Sequence, residues 1–139
     1  MQRLLLTTAL LLVGQGGATP IKSALKDLSA KCIAENNAPL GSFKLLGGRS
    51  VLSDESEQCY LECIYRGLGL INDQSLDVTV AKRLADKRYK NNNDLDQAYK
   101  VIDSCAQVRA LSGVKCGLGV SVRRCILEFG KMNNFYLQQ

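Results

Sequence analysis

Cys59-Tyr60-Leu61-Glu62-Cys63 is the stretch on which the rest of the chain is organised. In a helix, residues four apart stand on one face, one turn above the other, so Cys59 and Cys63 can staple that helix to other parts of the chain. They are poor partners for each other, because regular helical geometry strains a bridge between i and i+4. Cys32 lies upstream and Cys105, Cys116 and Cys125 lie downstream, so partners exist on both sides. The spacing predicts a central helix cross-linked to an upstream and a downstream helix.

Toward the N-terminus, Met1-Gln2-Arg3 precedes an apolar run from Leu4 to Val13 that is too brief to span a bilayer. Gly16, Gly17 and Ala18 follow. This is the pattern of a secretory signal peptide, residues 1–18, cut after Ala18, with small side chains at Gly16 and Ala18 where the peptidase requires them. A buried N-terminal helix fits less well, since the run ends in glycines. Removing 18 of the 139 residues leaves 121, residues 19–139, enough for a single domain. The expected localisation is secreted, extracellular.

Export places the six cysteines in an oxidising compartment and reads them as three disulfides. Six cysteines allow fifteen pairings, and spacing alone does not choose among them. The chain has no histidine and no Cys-x-x-Cys pair, so no metal site is expected. Nor can it form a Ser-His or Cys-His pair, and Gly67-x-Gly69 lacks the third glycine of a dinucleotide loop, so neither an enzyme nor a cofactor is expected. Without Arg3 the exported chain carries 17 basic against 13 acidic residues, a net +4 that specifies no partner. Its densest basic group is Lys82, Arg83, Lys87, Arg88 and Lys90. A nucleic-acid surface would interleave aromatics there, and Tyr89 alone does not, so the group reads as the solvated face of a helix and no nucleic-acid partner is expected.

Ile21, Leu25, Leu28 and Cys32 recur at helical spacing after Thr19-Pro20, predicting a first helix that ends near Asn36-Asn37. From Ala38 to Leu52 the chain is glycine-rich around Phe43, Leu45 and Leu46, which predicts at most a short helix and loop. Ser53 or Asp54 caps the central helix, and Gly67 and Gly69 close it. Asp77 caps a helix through Val80, Ala81, Leu84 and Ala85 that dissolves in Lys90-Asn91-Asn92-Asn93. Asp94 and Gln97 form a capping-box start for a helix burying Leu95, Ala98, Tyr99, Ile102, Cys105 and Ala106. The last helix follows Cys116, with Leu118, Val122, Cys125, Ile126, Phe129 and Met132 on one side. Gly117 and Gly119 each weaken its first turn by about 1 kcal/mol, so its start leans on the Cys116 bridge. No stretch sustains two-residue alternation, and the fold class is all-α, about six helices.

The intervals between successive cysteines are 26, 3, 41, 10 and 8 residues. This pattern, with Cys-x3-Cys and Cys-x8-Cys, resembles the insect odorant-binding (pheromone-binding) proteins of the six-cysteine type. The resemblance covers the whole exported chain. It implies the pairing Cys32–Cys63, Cys59–Cys116 and Cys105–Cys125, and helices stapled by these three disulfides around an apolar cavity. The implied function is a secreted carrier of small hydrophobic molecules such as odorants or pheromones. Carried over by position relative to the cysteines, the cavity wall would include Leu25, Leu28, Leu61, Tyr65, Leu68, Tyr99, Ile102, Val122 and Ile126. Periodicity adds Leu84, and Phe135 and Tyr136 in the tail would fold over the mouth. The implied partners are a small hydrophobic ligand and an odorant receptor at a membrane, with the chain a monomer or weak homodimer. The alternative is a secreted, non-olfactory interaction or venom-type protein on the same scaffold, without a working cavity.

Overall fold

The computed structural model describes residues 21–50 and 52–133. The expected signal peptide, the Thr19-Pro20 helix start, and the lid residues Phe135 and Tyr136 lie outside the described residues. Among the described residues there are five α-helices, α1 (Ile21–Asn36), α2 (Glu55–Gly67), α3 (Val78–Arg88), α4 (Asn92–Ser104) and α5 (Gly117–Met132), and a short 3-10 helix at Ser42–Leu46. The sequence therefore folds as an all-α protein with three disulfides, in which the glycine-rich region supplies one helical turn between Gly41 and Gly47.

The helix ends follow from short polar side chains. α1 stops where Asn37 turns left-handed (φ 49°), and the Asn36 amide donates to the Cys32 carbonyl at 2.9 Å, satisfying one of the groups a helix end leaves open. Asp54 caps α2 by accepting the Glu57 N–H at 3.1 Å, and Asp77 caps α3 by accepting the Val80 N–H at 3.1 Å. The start of α4 differs from the sequence expectation. Asn91, not Asp94, is the cap, extended at φ −86°, ψ 130° and accepting the Asn93 N–H at 2.8 Å. The helix thus begins two residues before Asp94, and the Gln97 amide oxygen closes no capping box but is buried without a hydrogen-bond partner.

All five residues of the organising stretch are engaged. Cys59 is bonded to Cys116, and Cys63 to Cys32, with Cα–Cα distances of 5.1 and 5.7 Å. The third bridge, Cys105–Cys125, ties the end of α4 to α5. The Tyr60 and Ser29 hydroxyls share a buried hydrogen bond of 2.7 Å between α2 and α1, and Leu61 is fully buried. Glu62 accepts the N–H of Gly119 at 3.0 Å. Cys116, which precedes α5, is left-handed (φ 57°) and offers no side-chain cap, so the carboxylate of Glu62 serves the third N–H of α5 from across the helix pair. A side chain at Gly119 would come within 2.9–3.2 Å of Glu62 Cβ, Cα and N, and one at Gly117 within 2.5 Å of the Leu111 carbonyl oxygen. These glycines therefore set the close approach of α5, and its first turn leans on Glu62 as well as on the Cys116 bridge.

Packing runs in sequence α1–α2–α5–α4–α3, with the 3-10 turn against α1 and α2. Two apolar clusters result. One gathers Cys32, Ala38, Tyr60 and Ile64, with Leu25, Leu28, Leu45, Leu46 and Leu68 against it. The other gathers Ile71, Leu76, Ala81, Ala85, Ala98, Ile102, Leu118 and Val122 with the Cys105–Cys125 bridge. Tyr65 packs against both.

Candidate functional site

Between α2 and α3 the chain makes a tight turn that periodicity left unassigned. Ile71 and Leu76 form an isolated antiparallel bridge, Asp77 N–H donates to the Leu70 carbonyl at 2.7 Å, and Asn72 Oδ1 accepts the N–H groups of Gln74 and Ser75 at 2.8 and 2.9 Å. The turn carries Leu70, Ile71 and Leu76 onto the second cluster. Together with Ala81, Leu84 and Ala85 of α3, Ile102 of α4 and Ile126 of α5, Leu70 and Leu76 line an apolar pocket of about 170 Å³. Arg88 and Tyr89, at the end of α3, are its polar wall.

A second concavity of about 450 Å³ lies alongside α1 and α2, where Lys31, Glu35, Glu62 and Arg66 line it together with Cys63 and Cys116. Its charged lining suits water better than an apolar molecule, because covering exposed charged side chains with apolar surface strips them of water at a cost. The smaller pocket is the one whose chemistry favours apolar surface.

The wall expected from the sequence divides. Leu84, Ile102 and Ile126 meet at the apolar pocket. Leu25, Leu28 and Leu68 pack with Tyr65 on the first cluster, and Leu28 also fills the space over Gly67, where a Cβ would lie 2.4 Å from its Cδ1. Leu61 (0 % exposed) and Val122 (1 %) have no surface left to face an open space. Tyr99 packs on the second cluster, its hydroxyl hydrogen-bonded to Asp86 and Lys82 Nζ 5.1 Å from its ring centroid, so it ties α4 to α3. The acceptance of that hydroxyl by Asp86 raises its pKa. Residues not anticipated for the wall are Leu70, Leu76, Ala81, Ala85, Arg88 and Tyr89. Helical spacing through Ala81, Leu84, Ala85 and Arg88 was the available signal for the α3 side.

Beside the bridging Tyr65, Arg123 of α5 is only 5 % exposed. Its Nε donates to the Ser50 carbonyl at 2.9 Å and its Nη2 to the Gly48 carbonyl at 2.7 Å, so a buried charge is satisfied by backbone oxygens and straps the 48–50 loop to α5. Burial raises the pKa of the Tyr65 hydroxyl, and the Arg123 guanidinium pulls the other way. Among the described residues no cluster of three or more His, Cys, Asp or Glu is placed to hold a metal, and no helix is long and apolar enough to cross a membrane.

The model of the PBP/GOBP family matches residues 18–128. The chain belongs to that family, and is a small protein of the odorant-binding type. Among solved structures it is similar to the odorant-binding protein dmelOBP28a from Drosophila melanogaster, with a TM-score of 0.68 at 18% identity over 81% of this chain and 94% of that chain. At that identity the likeness is one of fold. No curated protein matches the sequence.

Proposed function

We propose that the chain is a secreted carrier that takes up small hydrophobic molecules, odorants, pheromones or similar semiochemicals, in the pocket beneath α3 and transports them through aqueous fluid. Residues 1–18 are removed on export, and residues 19–139 act as one domain that delivers its ligand to a receptor at a membrane, as a monomer or weak homodimer. The observation that carries this reading is the apolar pocket of Leu70, Leu76, Leu84, Ile102 and Ile126 in a protein of this family. The covalent bridges support it physically. Three cross-links let a small helical domain keep an unfilled space that a domain held by packing alone would have to close.

Energetics limit the ligand. An apolar cavity of about 150 Å³ accepts benzene, so a pocket of about 170 Å³ takes a ring or chain of that order. Burying roughly 200 Å² of its surface gives about 5 kcal/mol, against about 8 kcal/mol for micromolar binding. The remainder must come from a polar contact or from enlargement of the pocket. The test is a titration of the secreted protein with a fluorescent probe that brightens in apolar surroundings, followed by displacement with small alcohols and aldehydes. Saturable, displaceable uptake is expected. The small volume of the pocket favours one rival reading, an interaction or venom-type protein working through its surface, and absence of saturable uptake would establish that rival over the carrier.

A further inference from the structure

The densest basic group of the chain lies on the helix that walls the pocket. From Lys82 to Lys90 five cations stand against the single acid Asp86, a net +4 over nine residues. Within the group, Lys82 pairs with Asp103 of α4 at 2.8 Å and Asp86 accepts from Tyr99. Arg83, Lys87, Arg88 and Lys90 are exposed. Of the basic group, Arg88 lines the pocket itself, next to Tyr89, while every other lining residue is apolar. The basic group is therefore not only a solvated helix face, because one of its members reaches the site.

We propose that the pocket selects anionic amphiphiles, short- to medium-chain carboxylates whose alkyl chain lies against Leu70, Leu76, Leu84, Ile102 and Ile126 and whose head is held by Arg88. This deepens the carrier reading and rests on it. The chemistry is complementary at both ends. The floor offers no polar side chain that would welcome a head group, whereas a guanidinium carries five N–H donors in a planar fork matched to a carboxylate, enough to serve a ligand beside any other contact it holds. The neighbouring Arg83, Lys87 and Lys90 add a positive field that raises the local concentration of anions at low salt. Apolar contact in a pocket this small stops short of micromolar affinity, and a charge-assisted pair supplies the missing part without a larger cavity.

The test is probe displacement from the secreted protein by octanoate, 1-octanol and methyl octanoate at neutral pH and low salt. Octanoate is expected to displace at a concentration about 5–10-fold below that of octanol, although it is the less apolar of the two in water. Arg88→Gln should weaken octanoate by about tenfold and octanol by no more than about twofold, and Arg88→Lys should retain part of the preference. Helical circular dichroism and unfolding midpoint are read on each variant, so that any loss of fold is separated from loss of the head-group contact, and because Arg88 is exposed the helical signal should match the parent. Octanol binding as tightly as octanoate, or Arg88→Gln weakening both alike, would overturn the proposal while leaving the carrier intact. A parent protein that takes up no probe would overturn both.

Discussion

The α1–α2 half has a disulfide of its own, Cys32–Cys63, whereas the α3–α4 half is bridged outward to α5 through Cys105–Cys125, and the two are filled in opposite ways. In the first, Tyr60 is the largest fully buried side chain, its hydroxyl is spent on Ser29, and Leu28 occupies the space over Gly67. In the second, the buried positions of α3 and α4 include Ala81, Ala85 and Ala98, and the pocket opens beside two of them. The difference teaches where a cavity can be kept. A half closed by an aromatic ring and a buried hydrogen bond leaves its open volume to a charged concavity, while a helix that offers alanine inward leaves apolar space that only larger neighbours could fill.

The comparison rests on α5 as the joint, and the largest effect should come from cutting it. Cys59 and Cys116 are 57 residues apart in sequence and Cys105 and Cys125 only 20, so loop entropy puts their loss at about 4 and about 3 kcal/mol respectively. Urea unfolding of the paired Cys→Ser variants should show Cys59→Ser/Cys116→Ser as the weaker protein. The reverse order would mean that the α4–α5 attachment matters more to the fold than the α2–α5 attachment, against loop length.

A second variant tests the alanines. Ala85→Leu places three more carbons into the pocket and should reduce probe affinity at least about tenfold, roughly 1.4 kcal/mol, while changing the unfolding free energy by less than that. Unchanged probe binding would move the working site away from α3.

The smallest effect belongs to the closed half. Tyr60→Phe removes the partner of the buried Ser29 hydroxyl and should cost about 1–2 kcal/mol with no change in probe affinity. It should also alter the alkaline limb of stability. Burial raises the pKa of the Tyr60 hydroxyl above its ordinary 10.0, with the Ser29 hydroxyl opposing. The unfolded chain therefore loses this proton first as pH climbs. The contribution is full below about pH 10 and is lost as pH rises through the folded-state value, so stability should fall above pH 10 and fall less in Tyr60→Phe. Tyr65, raised by burial as well, supplies part of what remains. An unfolding midpoint with the same alkaline slope in both proteins would show that Tyr60 does not report on this half.

Much of this frame was legible because its signals are local. Asp54 and Asp77 announce helix starts since a short carboxylate reaches the N–H three residues on, and Cys59 and Cys63 share a face by helical arithmetic. The start of α4 was not legible, because Asn91, Asn92 and Asn93 are equally able to cap and local propensity does not choose among them. The pocket was half legible. Periodicity offered Leu84 and the family resemblance offered Ile102 and Ile126, but Leu70 and Leu76 sit in a turn too short to have a period. Gly119 looked like a weakness because its partner Glu62 is 57 residues away, and propensity knows nothing of such contacts.

The strap between α5 and the 48–50 loop has a consequence for how this protein can vary. Arg123 grips Gly48 and Ser50 through their carbonyl oxygens, which every amino acid carries. The contact therefore reads the course of the loop and not its letters. Residues in that segment can drift through many side chains without loosening the grip, and loop libraries built there should keep their anchor. The arginine has no such freedom, since a lysine brings one ammonium in place of the fork that spans both carbonyls.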